Sequence, residues 1–194
     1  IDGQGRCLGG VILGDSEFIE NKLHDYLKHT GPALSPFNAF QILQGLETLE
    51  IRMKKHSDNA LKLAEWLESR EEVNWVNYPG LESSNYKSLT DKYLPDGQSG
   101  IVTFGVKGGY NSAKTVADKT KIFSLLANIG DSKSLIIHPA STTHQQLNED
   151  QQITTGVTKD LIRLSVGLED FEDIVNDFED GFRAAKKPRL VANK

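Results

Sequence analysis

The feature that most constrains the fold is a series of four short β-rich runs in the later part of the chain. Each run is dominated by apolar and β-branched residues, the composition typical of strands. The runs cover residues 73–78, 101–106, 135–138 and 161–166. Helical patterns separate or follow them at residues 86–93, 112–120, 148–154 and from 170 onward. Strands interleaved with helices predict an α/β or α+β domain over about residues 73–185.

Two of these helices have recognisable starts. Asn148 and Gln151 have the spacing of a capping box. Asp170 precedes an apolar stripe with helical spacing, which predicts a final helix. The stripe contains Phe171, Ile174, Val175, Phe178 and Phe182.

A third helix start is Ser35 followed by Pro36, a capping hydroxyl and then proline at the first helical position. Apolar residues recur beyond it at intervals of three or four, despite Gly45, until about residue 69. We therefore predict one helix over residues 35–69, roughly 45–50 Å long at 1.5 Å per residue. A helix of that length typically links two domains.

Before this helix, residues 8–13 are an apolar run flanked by glycines and predict a buried strand. A helix capped by Asp15 or Ser16 is predicted to follow it, ending near residue 28. The early glycines match neither the dinucleotide-binding fingerprint nor a Walker loop. Since Ile1 is not an initiator methionine, we expect the chain to be the C-terminal part of a longer protein.

Charge and composition exclude several partners. The net charge is −5 even though five positive residues follow position 182, so the body is acidic and no nucleic-acid partner is expected. The basic tail, residues 186–194, is predicted to be solvated. No apolar run is long enough to predict a membrane span. The single cysteine, Cys7, is interpreted as a small buried thiol and suits a reducing, cytoplasmic location.

Histidines do not indicate a metal site. His138 and His144 are six residues apart, which does not match the spacing of a helical zinc pair. Ser141, near His144, lacks the elbow motif of a nucleophilic serine. The other histidines are interpreted as residues of polar helix faces: His24, His29 and His56.

Arg163 is the strongest candidate for ligand binding. In a strand it shares one face with Leu161 and Ser165, while Ile162 and Leu164 lie on the opposite, core face. The planar guanidinium matches a carboxylate with two parallel hydrogen bonds. Spacing alone leaves two interpretations open: a partly shielded anion site, or an arginine that is exposed or paired with an acid such as Glu169.

Five ordered segments carry a family resemblance. They are DGQGRCLGG, TGPALSPFNAFQILQGLETLEIRM, NYPGL, LLANIGDSKSLIIHPASTTH and GVTKDLIRLSVGLE. Together they resemble the Cys/Met-metabolism family of pyridoxal-phosphate enzymes over residues 1–185. Within that family the chain is most similar to the O-acylhomoserine sulfhydrylases. Residues from Leu61 onward look like the enzymes that use O-acetylhomoserine, and the opening segment looks like those that use O-succinylhomoserine.

The resemblance implies the aspartate-aminotransferase type of fold, fold type I, in which a large N-terminal domain holds pyridoxal 5'-phosphate and a small C-terminal domain closes over it. Residues 1–34 would be the last part of the large domain and residues 35–70 the linking helix. Residues 71–185 would form the small domain, followed by the basic tail at 186–194.

The resemblance also assigns two substrate-binding residues. Arg163, in an Arg-x-Ser-x-Gly pattern, corresponds to the arginine that holds the substrate α-carboxylate, and Ser134 to a residue lining the same pocket. The family's Schiff-base lysine lies just before the segment matching Ile1, so this chain is expected to contain no catalytic residue. Its cofactor-binding residues are unassigned, and Gln4, where the family often has histidine, receives no role.

The implied activity of the whole protein is replacement of the acyl group of O-acetylhomoserine, or O-succinylhomoserine, by sulfide to give homocysteine in methionine biosynthesis. The family implies a homotetramer. Within the same family, a cystathionine γ-synthase or a methionine γ-lyase is the alternative. A hypothesis from another class of function is that the chain is a non-catalytic structural fragment, because the resemblance implies that the Schiff-base lysine is absent from it.

Overall fold

The structure is a computed structural model that describes residues 1–186. The described residues divide into two compact units, Ile1–Glu50 and a second unit that begins at Ile51. The predicted division at residues 34 and 70, into a large-domain remnant, a linking helix and a small domain, stays a prediction.

The first unit contains a helical stretch and a longer helix. Helix α1 (Ser16–Phe18) continues through a π-helical turn (Ile19–Leu23) into α2 (His24–Thr30). The carboxylate of Asp15 accepts the Phe18 N–H at 2.7 Å, so the predicted N-cap is confirmed. Helix α3 (Pro36–Leu46) begins at the predicted place, where the Ser35 hydroxyl accepts the Asn38 N–H at 3.1 Å.

The predicted strand at residues 8–13 is wrong. These residues have no regular secondary structure, and Leu8 and Leu13 are 87% and 86% exposed. A strand needs a neighbouring strand for its backbone hydrogen bonds. No residue of the described first unit forms one with this run. Cys7 is half-buried, not buried as predicted.

The predicted single helix over residues 35–69 is also wrong. Helix α3 ends at Leu46, and helix α4 (Leu49–Glu68) begins after a two-residue turn. Gly45 precedes the turn, and a Cβ there would lie 2.5 Å from the carbonyl oxygen of Ile1. Glycine permits that close backbone contact but weakens the helix.

The second unit is built on one five-stranded sheet. Its strands are β1 (Val73–Asn77), β2 (Ile101–Val106), β3 (Ser124–Leu125), β4 (Leu135–Ile137) and β5 (Leu161–Ser165). The order is β1-β2-β5-β4-β3, antiparallel except for the β3–β4 pair. The four predicted strands are confirmed. Strand β3 was missed because two residues carry no recognisable alternation.

The helices of this unit are α5 (Lys87–Tyr93), α6 (Gly109–Lys119), α7 (Glu149–Thr154) and α8 (Phe171–Lys186), together with most of α4. The capping box of Asn148 and Gln151 is confirmed at the start of α7. The Asp170 carboxylate accepts the Glu172 N–H at 2.9 Å, as its predicted capping role requires. Among the described residues, no helix combines the length and apolar content needed to cross a membrane.

The predicted basic tail begins inside helix α8. Arg183 pairs with Asp180, and Lys186 pairs with Glu71 and Glu72. Both side chains are on a folded helix and are still more than half exposed, at 67% and 54%, so solvation of the tail stays a prediction. Residues 187–194, the rest of that tail, lie outside the described residues.

The hydrophobic core lies between one face of the sheet and helices α4, α6 and α8. Phe178 of α8 packs edge-on against Phe104 of β2 and Phe123. Apolar burial of this kind is the main stabilising contribution in a domain of this size. The core residues from the three helices are Ala60, Leu63, Ala64, Leu67, Ala113, Val116, Ala117, Ile174, Phe178 and Phe182.

Candidate functional site

Arg163 lies on β5, the central strand of the sheet. Its cross-strand neighbours are Thr103 on β2 and Ile137 on β4. Ile162 and Leu164, which flank it in the chain, are fully buried in the core, so the predicted core face is confirmed. Because side chains alternate along a strand, Arg163 projects from the face opposite the helices.

Arg163 as a whole residue is half-buried, and its guanidinium has unused N–H donors. Its Nη2 makes one long hydrogen bond, 3.5 Å, to the carbonyl oxygen of Asn128. Within residues 1–186, no salt bridge involves this arginine. A guanidinium offers five N–H donors in a fixed fork. The guanidinium of Arg163 can therefore bind a carboxylate without first breaking an ion pair.

Glu169, the acid that sequence spacing offered to Arg163, is bound elsewhere. Its carboxylate accepts the Ser134 backbone N–H at 2.7 Å and the Ser134 hydroxyl at 2.8 Å. The same hydroxyl oxygen accepts the Gly167 N–H at 2.8 Å. The interpretation of Arg163 as the structural partner of Glu169 is therefore removed.

Ser134 is fully buried immediately before β4, the strand next to Arg163. Its hydroxyl and its amide are both engaged, as described above. Ile137 pairs with Arg163, so strand alternation places residues 135 and 137, rather than 134, on the face of the guanidinium. Ser134 thus connects the start of β4 to the segment after β5 through hydrogen bonds with Gly167 and Glu169. Its direct contact with a ligand stays a prediction.

The interpretation of His56 as a residue of a polar helix face is wrong. His56 on α4 is 1% exposed, and its Nδ1 lies 2.5 Å from the carbonyl oxygen of Val166. Asn59, one turn further along, is fully buried and donates from Nδ2 to the carbonyls of Gly167 at 3.0 Å and Glu169 at 2.9 Å. Carbonyls beyond a strand end need such donors when they are buried.

Spacing held a signal for these two residues. His56 and Asn59 lie three apart and precede Ala60, Leu63 and Ala64 at helical intervals, so they extend the buried stripe of α4. Polar residues placed in line with such a stripe face buried groups rather than solvent, and hydrogen bonding is then required.

His138 is a second buried histidine with a structural role. Its Nδ1 lies 2.8 Å from the Ser141 hydroxyl and its Nε2 lies 2.9 Å from the Lys159 carbonyl. Burial lowers its pKa below the ordinary value, despite the hydrogen bond to Lys159 that favours the charged form. Both ring nitrogens are occupied, so His138 ties the turn after β4 to the turn before β5.

Comparison with known proteins identifies a family that the chain matches. The model of the family "Cys/Met metabolism PLP-dependent enzyme" matches residues 1–183. An O-acetyl-L-homoserine sulfhydrylase of Leptospira meyeri is 55% identical over 182 residues, covering 93% of this chain and 40% of the relative. An O-succinylhomoserine sulfhydrylase of Pseudomonas aeruginosa is 44% identical over 184 residues, covering 95% and 45%.

A solved structure supports the same relationship. A protein of Campylobacter jejuni described as an O-acetylhomoserine (thiol)-lyase, which carries N'-pyridoxyl-lysine-5'-monophosphate, superposes with a TM-score of 0.79 at 45% identity. The match covers 88% of this chain and 41% of that one. The predicted mixed α/β architecture, part of fold type I of the pyridoxal-phosphate enzymes, is thereby confirmed.

Sequence, sheet topology and superposition all relate the chain to the pyridoxal-phosphate-dependent enzymes of amino-acid metabolism. The chain belongs to the Cys/Met metabolism PLP-dependent enzyme family. It spans 40% of the length of its Leptospira meyeri relative and 45% of that from Pseudomonas aeruginosa. The family resemblance seen in the sequence is therefore confirmed.

Proposed function

We propose that this chain supplies the substrate-carboxylate site of a pyridoxal-phosphate-dependent O-acylhomoserine sulfhydrylase. The observation that carries the proposal is that Arg163 is a half-buried residue whose guanidinium has no salt bridge within residues 1–186. A partly shielded cation without a fixed acid suits an anionic ligand. The α-carboxylate is the anion shared by all amino-acid substrates.

Arg163 would bind and orient the amino acid. Two parallel hydrogen bonds from the fork fix both the position and the plane of the carboxylate. Fixing that group leaves the Cα–H bond in one direction relative to the cofactor ring, which is an orientation effect on the rate. The cofactor, when bound, supplies an electron sink for the amino acid. No described residue is assigned to the cofactor itself.

In the proposed reaction, sulfide forms a bond to Cγ of the acylated homoserine and the carboxylic acid leaves, so O-acetylhomoserine gives homocysteine and acetate. The higher identity to the O-acetyl-L-homoserine enzyme, 55% against 44%, favours acetyl over succinyl. Supplying sulfide, cysteine or no nucleophile and identifying the product separates this reaction from cystathionine γ-synthase or methionine γ-lyase activity.

The decisive test is Arg163→Ala in the whole protein. Loss of a bidentate, charge-assisted contact worth about 3 kcal/mol raises KM for O-acetylhomoserine about 100-fold. Arg183→Ala is the matched control, because that arginine is exposed on α8 and pairs only with Asp180 among the described residues. Unchanged kinetics in Arg163→Ala would remove the role given to it.

The chain by itself is proposed to be inactive, because the resemblance places the cofactor-binding lysine outside it. Adding pyridoxal phosphate to the 194-residue chain should give no stable visible absorption band of a Schiff base between the cofactor and a lysine. A stable band would contradict this expectation.

We further propose a cytoplasmic homotetramer for the whole protein, to be checked by fractionation and sedimentation.

A further inference from the structure

The segment that follows strand β5, residues 166–169, is held on two sides by hydrogen bonds. We call it the post-strand segment. Arg163 lies on β5, three residues before the first member of the segment, and the segment begins directly where the strand ends. Any movement of the post-strand segment therefore reaches the guanidinium through the backbone, with no flexible loop between them.

Helix α4 holds the segment from one side. His56 binds the Val166 carbonyl, and Asn59 binds the carbonyls of Gly167 and Glu169. All three bonds are 3.0 Å or shorter, and both side chains are at most 1% exposed. Hydrogen bonds shielded from water in this way keep a single geometry.

Residues that immediately precede strands β2 and β4 hold the segment from the other side. The Val166 N–H donates to the Gly100 carbonyl at 2.7 Å, and the Leu168 N–H donates to the Ser132 carbonyl at 2.9 Å. Ser134 binds Gly167 and the Glu169 carboxylate. With α4 on one side and the sheet on the other, the position of the segment is set by both.

The two α4 side chains are not the choice that core packing alone would favour. The Nε2 of His56 and the Oδ1 of Asn59 are buried and lack a hydrogen-bond partner within residues 1–186. Burying an unsatisfied polar atom lowers stability relative to an apolar side chain of similar shape. Their remaining atoms, Nδ1 and Nδ2, make the contacts that locate the post-strand segment, which is the benefit that offsets this cost.

We propose that His56 and Asn59 are positioning residues that set the location of Arg163 for its ligand. The inference rests on the proposed function of Arg163. Neither residue is assigned a contact with the substrate. A misplacement of about 1 Å at a binding group can lower the rate by about 100-fold, so small shifts are measurable.

The test uses a matched pair of substitutions at His56 in the whole protein. The amide nitrogen of asparagine can occupy the position of Nδ1, whereas that of glutamine reaches the position of Nε2. His56→Asn should therefore keep the KM for O-acetylhomoserine close to that of the parent. His56→Gln and Asn59→Leu should raise it about tenfold or more, with the KM for sulfide unchanged.

Leu63→Val, one turn along α4 and fully buried, is the control for general loss of stability. It should lower the unfolding midpoint without changing either KM. The affinity of each variant for L-norleucine, an amino acid without a leaving group, should follow its KM for O-acetylhomoserine. This binding readout does not depend on turnover.

The outcomes separate the two proposals. If Arg163→Ala impairs the enzyme but His56→Gln and Asn59→Leu keep the parental KM and norleucine affinity, the positioning role is overturned and the proposed function stands. A Leu63→Val variant with the same rise in KM would also overturn the positioning role. If Arg163→Ala behaves like the parent, both proposals fail.

Discussion

Replacing Gly167 with alanine tests how closely the post-strand segment must approach the residues just before strand β4. A Cβ on Gly167 would lie 2.5 Å from the Ser134 nitrogen and 2.6 Å from the Lys133 carbonyl carbon. Ordinary contact begins at 3.4 Å, so the first of these pairs must separate by about 0.9 Å. The Cβ would also contact the Glu169 carboxylate, which a rotamer change could move, but the other two neighbours are backbone atoms, whose contacts no rotamer change can relieve.

The expected cost has two parts. Overpacking of a buried site destabilises a protein by about 1–3 kcal/mol, so the free energy of unfolding should fall by that amount. Separating Gly167 from Ser134 should also displace the start of β4 relative to β5, the strand that carries Arg163. Since a misplacement of about 1 Å can cost about 100-fold, kcat/KM for O-acetylhomoserine should fall between about tenfold and 100-fold.

Gly181→Ala is the matched control for this substitution. A Cβ on Gly181 of α8 would meet Val116 and Thr120 at 3.4 to 3.6 Å, which is ordinary contact. Alanine is favoured over glycine in a helix by about 0.5–1 kcal/mol, so stability should rise and activity should stay parental. Urea unfolding and steady-state kinetics of the whole protein measure both effects. Parental stability and kinetics in Gly167→Ala would refute the reasoning.

Two further predictions concern buried polar groups. The Asp177 carboxylate accepts backbone N–H groups of residues 121–123, so Asp177→Ala should lower the unfolding free energy by about 3–5 kcal/mol, measured in urea, with a smaller loss in Asp177→Asn. An equal loss in both variants would contradict this account. The pKa of His138 lies below 6.5 because of burial, so the stability that it contributes is complete above pH 6.5 and falls as the pH drops towards the folded pKa. His138→Gln should flatten this dependence in urea unfolding between about pH 5 and 7.5; an identical pH profile would count against it.

Local sequence patterns predicted much of the second unit. Period-two alternation around Arg163 correctly assigned Ile162 and Leu164 to the core, because the alternation depends only on strand geometry. The caps at Ser35 and Asn148 were also predicted, because a cap is formed by residues three apart in the chain. The order of the family motifs predicted the relationship later confirmed by comparison.

Errors arose where a distant segment decides the local structure. Residues 8–13 have strand composition but no strand partner among the described residues, so composition was insufficient. The apolar stripe continues across the turn between α3 and α4, and periodicity could not detect that Gly45 makes close backbone contact with Ile1. In both cases the prediction failed because the presence or absence of a long-range contact cannot be seen in a local pattern.

The amino-acid sequence by itself determined which residues could bind a carboxylate, because a guanidinium on a strand next to core residues follows from residue type and alternation. Tertiary structure decided that the Glu169 carboxylate binds Ser134 rather than Arg163. It also decided which side chains hold the post-strand segment. His56 and Ser134 are 78 residues apart in the chain, and they act on the same four residues only after α4 and β4 have packed around them. Hydrogen bonds between segments so far apart depend on the packing of the whole unit, so local spacing could indicate that His56 is buried but could not predict its partner.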